Sequence, residues 1–516
     1  MAAAEVTSTR APLRLRLDWT RFGPTLLAAA MAITFAIWQP PSGDLAAAVY
    51  RSGLAAHNGL LPLYNDQWYG GHATLSYSVL APLLGALIGA PLLAALAVIA
   101  GAALFSVLVP HRLAALWFAG AFAVSLLSGR VAFDVGVAVG LGALLAALRG
   151  RLVAAGLLAA ATSLASPLAG AFLALAGIGL APRERRAAVV LALAALVPIA
   201  ALWIAFPQGG SEPFVASSFW PTLLGTLAVA AVVPSAWRTA LVVYAAALVG
   251  AFLIPSAVGG NAARLAALFA GPLVAAARPR RALLLAAIVP LTLWQIDAPL
   301  HDFFNSTGDP ATRAAYYAPL ERFLSAQRLD PFRIEIPFTE SHWEAAFVAP
   351  HFSIARGWER QVDVSRNGLF YDGTLTAERY HAWLLANAIR FVALPDTQFE
   401  YSGVAEAQLV RAGLPYLQPV FHSAHWRVFA VAGATPLASA PASMTQLEPQ
   451  GFTLRFVAPG SSNVRMRFTP YWLAHGGCVS STPDGYTEVR STHPGIVRVT
   501  FAFSLARIFE HGLRCN

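Results

Sequence analysis

Residues 42–78 read SGDLAAAVYRSGLAAHNGLLPLYNDQWYGGHATLSYS, directly after an apolar run at 23–38. The stretch holds two of the eight acids found up to residue 297, with Tyr, Trp, Asn and His crowded around them. A polar segment of this kind between apolar runs is a connecting loop. What it connects fixes the fold class.

The chain of 516 residues is 57% hydrophobic and only 12% charged, with mean hydropathy +0.59. An average soluble domain carries roughly twice that share of charge. The composition therefore reads as an integral membrane protein. The other 18 of the 26 acids lie beyond residue 297, which divides the chain into a membrane half and a water-soluble half. A span takes roughly 20 apolar residues, fewer inside a bundle. Eleven segments fit: 23–38, 91–109, 113–128, 131–148, 152–165, 167–181, 187–206, 220–234, 239–254, 263–277 and 282–297.

The net charge of +9 comes from Arg alone, because the chain has no Lys. With so much Ala, this points to a GC-rich bacterial genome of actinobacterial type rather than to a nucleic-acid surface. Arg-rich short loops stay cytoplasmic. Arg10, Arg14, Arg16 and Arg21 place the N-terminus inside, and alternate loops should then be basic. They are, at 111–112, 149–151, 182–186, Arg238 and 278–281, while the outer connections carry only Arg130 and Arg264. Counting the apolar run at 78–90 as a span would invert every later loop, so it is expected to be a short helix at the outer leaflet. Residues 298–516 then lie outside the cytoplasm of a bacterial plasma membrane. No cleavable signal peptide is expected, since no small-residue cleavage site precedes the loop.

The exterior part divides in two. Within 298–435, short aromatic or β-branched runs at 331–338, 389–395 and 425–433 predict strands. Residues 376–388, with Thr376 as N-cap, and 403–412 predict helices; together they make a small α/β domain. A linker rich in Ala, Pro and Ser follows, and 436–516 holds four alternating runs that suggest an antiparallel β-sandwich. Cys478 and Cys515 would pair in an oxidising compartment; closing that loop contributes about 4 kcal/mol in the chain-entropy model. The organisation is thus a transmembrane part at 1–297 with a first external loop at 39–90, followed by the two exterior regions. There is no P-loop, dinucleotide-binding glycine motif, zinc-type Cys/His spacing or Ser nucleophile elbow.

Ionisable groups within or beside spans are costly and mark functional paths. Here they are Asp44, Arg51, Asp66, Arg130, Asp134 and Arg264, all on the outer side by the loop charges. Acids beside arginines can join a general base to cations that stabilise an anionic leaving group. Asp44 stands at a helix start, where the positive helix end favours a carboxylate; it either caps the helix or acts as a base. Asp66 is the second acid. Around it Trp68, Tyr69, His72 and Tyr77 either anchor and pack the loop at the interface or contact a sugar or lipid. Asp134 follows Arg130 at helical spacing, which allows a local ion pair or a role in the site. Arg264, with Asn261 and the glycines at 259 and 260, suits a phosphate, as does Arg51; an Arg that snorkels to the interface is the other reading of Arg264. Trp358, Glu359 and Arg360 form a conspicuous exterior loop that either reaches the membrane site or is a structural turn.

The layout resembles the GT-C superfamily of membrane glycosyltransferases. The likeness is carried by GDLAAAVYR, WYGG and YSVLAP in the first loop, with the odd span count and the Arg-containing loop at 259–264 as support. What the resemblance implies is a helical polytopic membrane fold, a polyprenyl-phosphate sugar donor, an extracytoplasmic glycan or glycolipid acceptor, Asp44 as catalytic base and Arg264 at the lipid phosphate. The loop has no adjacent acid pair, and no WWDYG motif stands in the exterior part; a divalent metal is possible and its ligands are unknown. Two other functions compete. A lipid or glycan flippase would show internal repeats and polar sites at midplane, and a non-catalytic assembly protein would bind through its exterior domains.

Overall fold

The computed structural model describes residues 19–207, 210–509 and Cys515. Up to residue 306 the described residues are mostly helical: α1 (Trp19–Trp38), α2 (Gly43–Asn58), α3 (Leu80–Ile88), α4 (Ala90–Leu108), α5 (Arg112–Val124), α6 (Val131–Leu148), α7 (Leu152–Ala165), α8 (Pro167–Leu180), α9 (Arg185–Ala205), α10 (Ala216–Val232), α11 (Ser235–Leu253), α12 (Ala263–Ala277) and α13 (Arg281–Ser306). Ala and Leu dominate these helices and are strong helix formers. Pro, Gly and Arg punctuate the connections between them. Among the described residues five stretches are long and apolar enough to cross a membrane: Ala90–Leu108, Val131–Leu148, Arg185–Ala205, Gly259–Ala277 (α12 with the helical turn before it) and Arg281–Ser306. Phe22–Trp38 runs into Gly43–Asn58 through a 72° bend at the Pro40-Pro41 step, where the first proline restricts its predecessor and neither can donate to a helix. The nine residues of α3 cover roughly 13 Å, too short to cross. On α9 and α13, Leu193, Val197, Leu285 and Val289 are exposed, the pattern of helices that face hydrocarbon rather than a protein core.

Past α13 the chain changes to mixed structure. A five-stranded sheet has the order β4-β3-β5-β7-β6, counting two short strands in the first loop, β1 (Tyr64–Asn65) and β2 (His72–Ala73), before β3 (Arg333–Glu335), β4 (Ser353–Ile354), β5 (Ile389–Pro395), β6 (Leu417–His422) and β7 (Trp426–Val431). Its β4-β3-β5 portion is parallel and the remainder antiparallel. Thr376 caps the helix Ala377–Ala386 by accepting the Arg379 N–H at 3.3 Å. The C-terminal β-sheets have three strands and four strands, and Phe452, Trp472 and Val499 of one share a buried core with Val464, Met466 and Val489 of the other. Cys478 and Cys515 are disulfide-bonded.

Tyr64, Asn65, Asp66, Trp68 and His72 are all buried, and the first loop is a plug between the helices and the exterior sheets. The Asp66 N–H donates to the Pro449 carbonyl at 3.1 Å, the Leu63 N–H to Gln450 at 2.8 Å, and the Tyr64 hydroxyl to the Arg467 carbonyl at 2.8 Å. These polar groups of the loop are met by the turn at Pro449-Gln450 and by Arg467, nearly 400 residues further on. A buried polar group without a partner would be costly.

Candidate active site

A cavity of about 810 Å3 lies where the ends of the helices meet the C-terminal part. Each helical connection that reaches it is one that lacks an Arg cluster: the α1–α2 bend, residues 128–133, Ser166, the segment that carries Phe206, Gly210 and Glu212, and residues 257–264. The Arg-rich connections occupy the other ends of the same helices.

Asp44 lines the cavity from the first turn of α2. Arg130 meets it, with its Nε 3.4 Å from Asp44 Oδ2, and also places Nη2 3.7 Å from Asp302 Oδ2. Ser128 donates to the same Asp302 oxygen at 2.6 Å. Gly129 makes this approach possible. Its φ is +71°, and a Cβ there would sit 2.4 Å from Ser42 Oγ and 2.5 Å from the Leu45 nitrogen. Any side chain at 129 would push Arg130 off the start of α2.

Arg264 lines the cavity from α12. It stands over the Phe133 ring at 5.7 Å, and among the described residues it forms no ion pair and no hydrogen bond. Asn261 lines the cavity beside it. The nearby glycines do not open space for a head group: a Cβ on Gly259 would meet the Glu212 carbonyl oxygen at 1.7 Å, and one on Gly260 the Pro213 carbonyl oxygen at 2.9 Å. They admit the chain's own backbone.

Arg51 also lines the cavity, but its guanidinium is taken. It pairs with Glu359 at 2.7 Å, both buried, and lies 4.0 Å over the Tyr77 ring. The exterior loop of Trp358, Glu359 and Arg360 reaches the cavity. It rests on Trp68, since a Cβ on Gly357 would meet that indole at 2.3 Å. Tyr69 holds it from below: its hydroxyl donates to the Gly357 carbonyl and accepts the Glu359 N–H at 3.0 Å. Trp358 stacks on His342, centroids 3.5 Å apart and 11° from parallel. Arg360 pairs with Glu400 at 2.8 Å.

Five of the sequence candidates are not brought to the cavity wall. Asp66 is buried elsewhere and accepts the Gly451 N–H at 3.0 Å; burial pushes its carboxyl well above the usual range despite that bond and the nearby Arg333. Trp68 is sandwiched by Tyr50, stacked at 4.4 Å, and Gly357. His72 stacks on Trp68, and burial lowers its pKa well below the ordinary value, so it is neutral. Asp134 is buried one turn into α6 and accepts from Ser125 at 3.2 Å; Arg130 turns to Asp44 and Asp302 instead of to it. Tyr69 acts through the 357–359 backbone rather than from the wall. Asp66→Asn keeps an acceptor for Gly451, so it is expected to leave turnover within about threefold of wild type, measured in the assay below. A loss comparable to that of a cavity carboxylate would return Asp66 to the site.

Sequence reading missed Asp302, Glu340, His342 and Glu400, all of which line the cavity. The available signal was TESHWE at 339–344, a dense acid and His run at a turn, and HDFFN directly after the last apolar segment. Among the described residues no three His, Cys, Asp or Glu side chains converge as metal ligands.

No protein-family model matches the chain, and no curated protein matches it. Among solved structures it is similar to the arabinofuranosyltransferase AftD from Mycobacteria, solved by single-particle cryo-electron microscopy, at 14% identity and a TM-score of 0.45. The match covers 94% of this chain. The chain spans 60% of that structure's length.

Proposed function

We propose that this protein is a membrane glycosyltransferase that moves a sugar from a polyprenyl-phosphate donor to a hydroxyl of an extracytoplasmic glycan or glycolipid. The observation that carries this reading is that one cavity holds a carboxylate fixed by an arginine, Asp44 with Arg130, and a separate arginine without an acidic partner, Arg264. The acceptor hydroxyl gives its proton to Asp44 as its oxygen forms the new bond to the anomeric carbon. The bond from that carbon to the phosphate oxygen breaks, and the lipid phosphate leaves with the electron pair and its negative charge beside Arg264. A fixed cation at the developing charge lowers the barrier because it need not reorganise during the reaction. Asp302 shares Arg130 with Asp44 and so adds negative potential on the base side.

The reading places the cavity at the outer leaflet. In it all eleven apolar helices cross, the Arg-rich connections stay cytoplasmic, and residues 298–516 lie outside as two domains, 298–435 and 436–516. Support comes from the alternation of helix ends between Arg clusters and cavity. The test is the full chain in lipid vesicles, given a panel of polyprenyl-phosphate sugars and soluble glycans and scored for lipid phosphate release and glycan extension. Extension with at least one donor is expected. No release with any donor, together with movement of a labelled lipid between leaflets, overturns the reading in favour of a flippase.

A further inference from the structure

The cavity wall supplied beyond α12 differs in kind from the wall that holds Arg264. At its centre Asn305 donates to Glu340 Oε1 at 2.9 Å and stands 2.9 Å from the His301 ring nitrogen. That leaves the second Glu340 oxygen without a partner among the described residues. Arg360 belongs to this wall too, but Glu400 neutralises it at 2.8 Å. His342 is 2% exposed and lines the cavity, with its Nδ1 3.6 Å from the buried Glu344 Oε1. Its backbone sits at φ +55°, a conformation uncommon outside Gly, Asn and Asp, held there by its stack on Trp358. Burial lowers its pKa to about 3, so the ring is uncharged. Among the described residues the wall therefore presents a Glu340 carboxylate oxygen open to a donor, with His301 beside it and no unpaired arginine.

We propose that this wall is the acceptor subsite and that it selects a neutral, hydroxyl-rich glycan over one carrying a carboxylate or phosphate. The inference rests on the transferase reading above. Hydroxyls donate to a carboxylate such as Glu340, and sugar hydroxyls can do so in pairs. An anionic acceptor would face the partly buried Glu340 with no unpaired arginine on this wall to meet it, and a like charge there is repelled. The donor phosphate, which does need a cation, is left to Arg264.

The probes are a neutral linear pentasaccharide of unmodified hexoses and the same pentasaccharide oxidised to a uronate at its terminal primary hydroxyl. Each is titrated calorimetrically into the full chain in lipid nanodiscs. Binding of the neutral sugar at least about tenfold tighter than the uronate is expected, the scale of a hydrogen bond to a charged group. Glu340→Gln should weaken the neutral sugar severalfold and narrow the gap between the two. His342→Asn, which tolerates the positive φ, should weaken the neutral sugar as well. Equal or tighter binding of the uronate, no binding of either, or no change in Glu340→Gln overturns the proposal. Transfer is scored separately. Turnover that prefers the uronate sinks the subsite and leaves the transferase, whereas selective glycan binding without turnover from any donor sinks the transferase and leaves the subsite.

Discussion

Asp44→Asn is expected to lower sugar transfer on the order of a thousandfold, within the range by which a positioned general base accelerates a reaction. The substitution keeps size and hydrogen-bonding shape, so the helix start at Ser42–Asp44 should hold and thermal melting should stay within a few degrees. It removes the ability to take a proton, together with the charge that Arg130 meets. Asp302→Asn is the informative companion. Asp302 shares Arg130 with Asp44, at 3.7 Å against 3.4 Å, but Ser128 already donates to it at 2.6 Å. As a supporting acid it should lose roughly tenfold. A larger loss in Asp302→Asn than in Asp44→Asn would exchange their roles, and native turnover in Asp44→Asn would remove the base from the mechanism altogether.

The helices were legible because composition alone forces them: Ala- and Leu-rich stretches can satisfy their backbone in hydrocarbon only as helices. Asp44, Arg264 and the 358–360 loop stood out as polar groups in costly places, and they meet at one cavity. Asp66, Trp68 and His72 stood out for the same reason but are partnered within the protein, by Gly451 in the case of Asp66. A hydrogen bond that joins residues 385 apart leaves no local mark on the sequence. The glycines at 259 and 260 were legible as close approaches, though not as to what approaches. Glu340 and His342 were hidden by the opposite effect: in a stretch that already looks water-soluble, an acid and a His carry no surprise.

The other large effect is expected in the exterior part, at Arg356. This residue is 1% exposed. It donates to Asp363 at 2.7 Å, to Glu406 at 3.2 Å and to Ser402 at 3.0 Å, with Phe338 and Phe370 rings each 4.0 Å from its guanidinium carbon. Arg356 directly precedes the loop that Gly357, Trp358, Glu359 and Arg360 carry to the cavity. Arg356→Met keeps bulk but strands two buried carboxylates, and breaking a buried pair in this way costs about 3–5 kcal/mol. Unfolding of the exterior part should then begin at markedly lower temperature at pH 7.5, followed by tryptophan fluorescence of the full chain in nanodiscs. Acid should narrow the difference, because the stranded carboxylates then take up protons. Wild type carries a related dependence. Burial raises Glu406 to about 7 and Glu344 to about 8 from 4.5, so the folded form holds protons that the unfolded form releases. The stability this contributes is complete below about 4.5 and is lost as pH rises through about 7 and about 8. The exterior part should therefore melt higher at pH 5 than at pH 8. Equal melting of Arg356→Met and wild type at pH 7.5 would show that the guanidinium does not hold this cluster, and with it the cavity loop, in place.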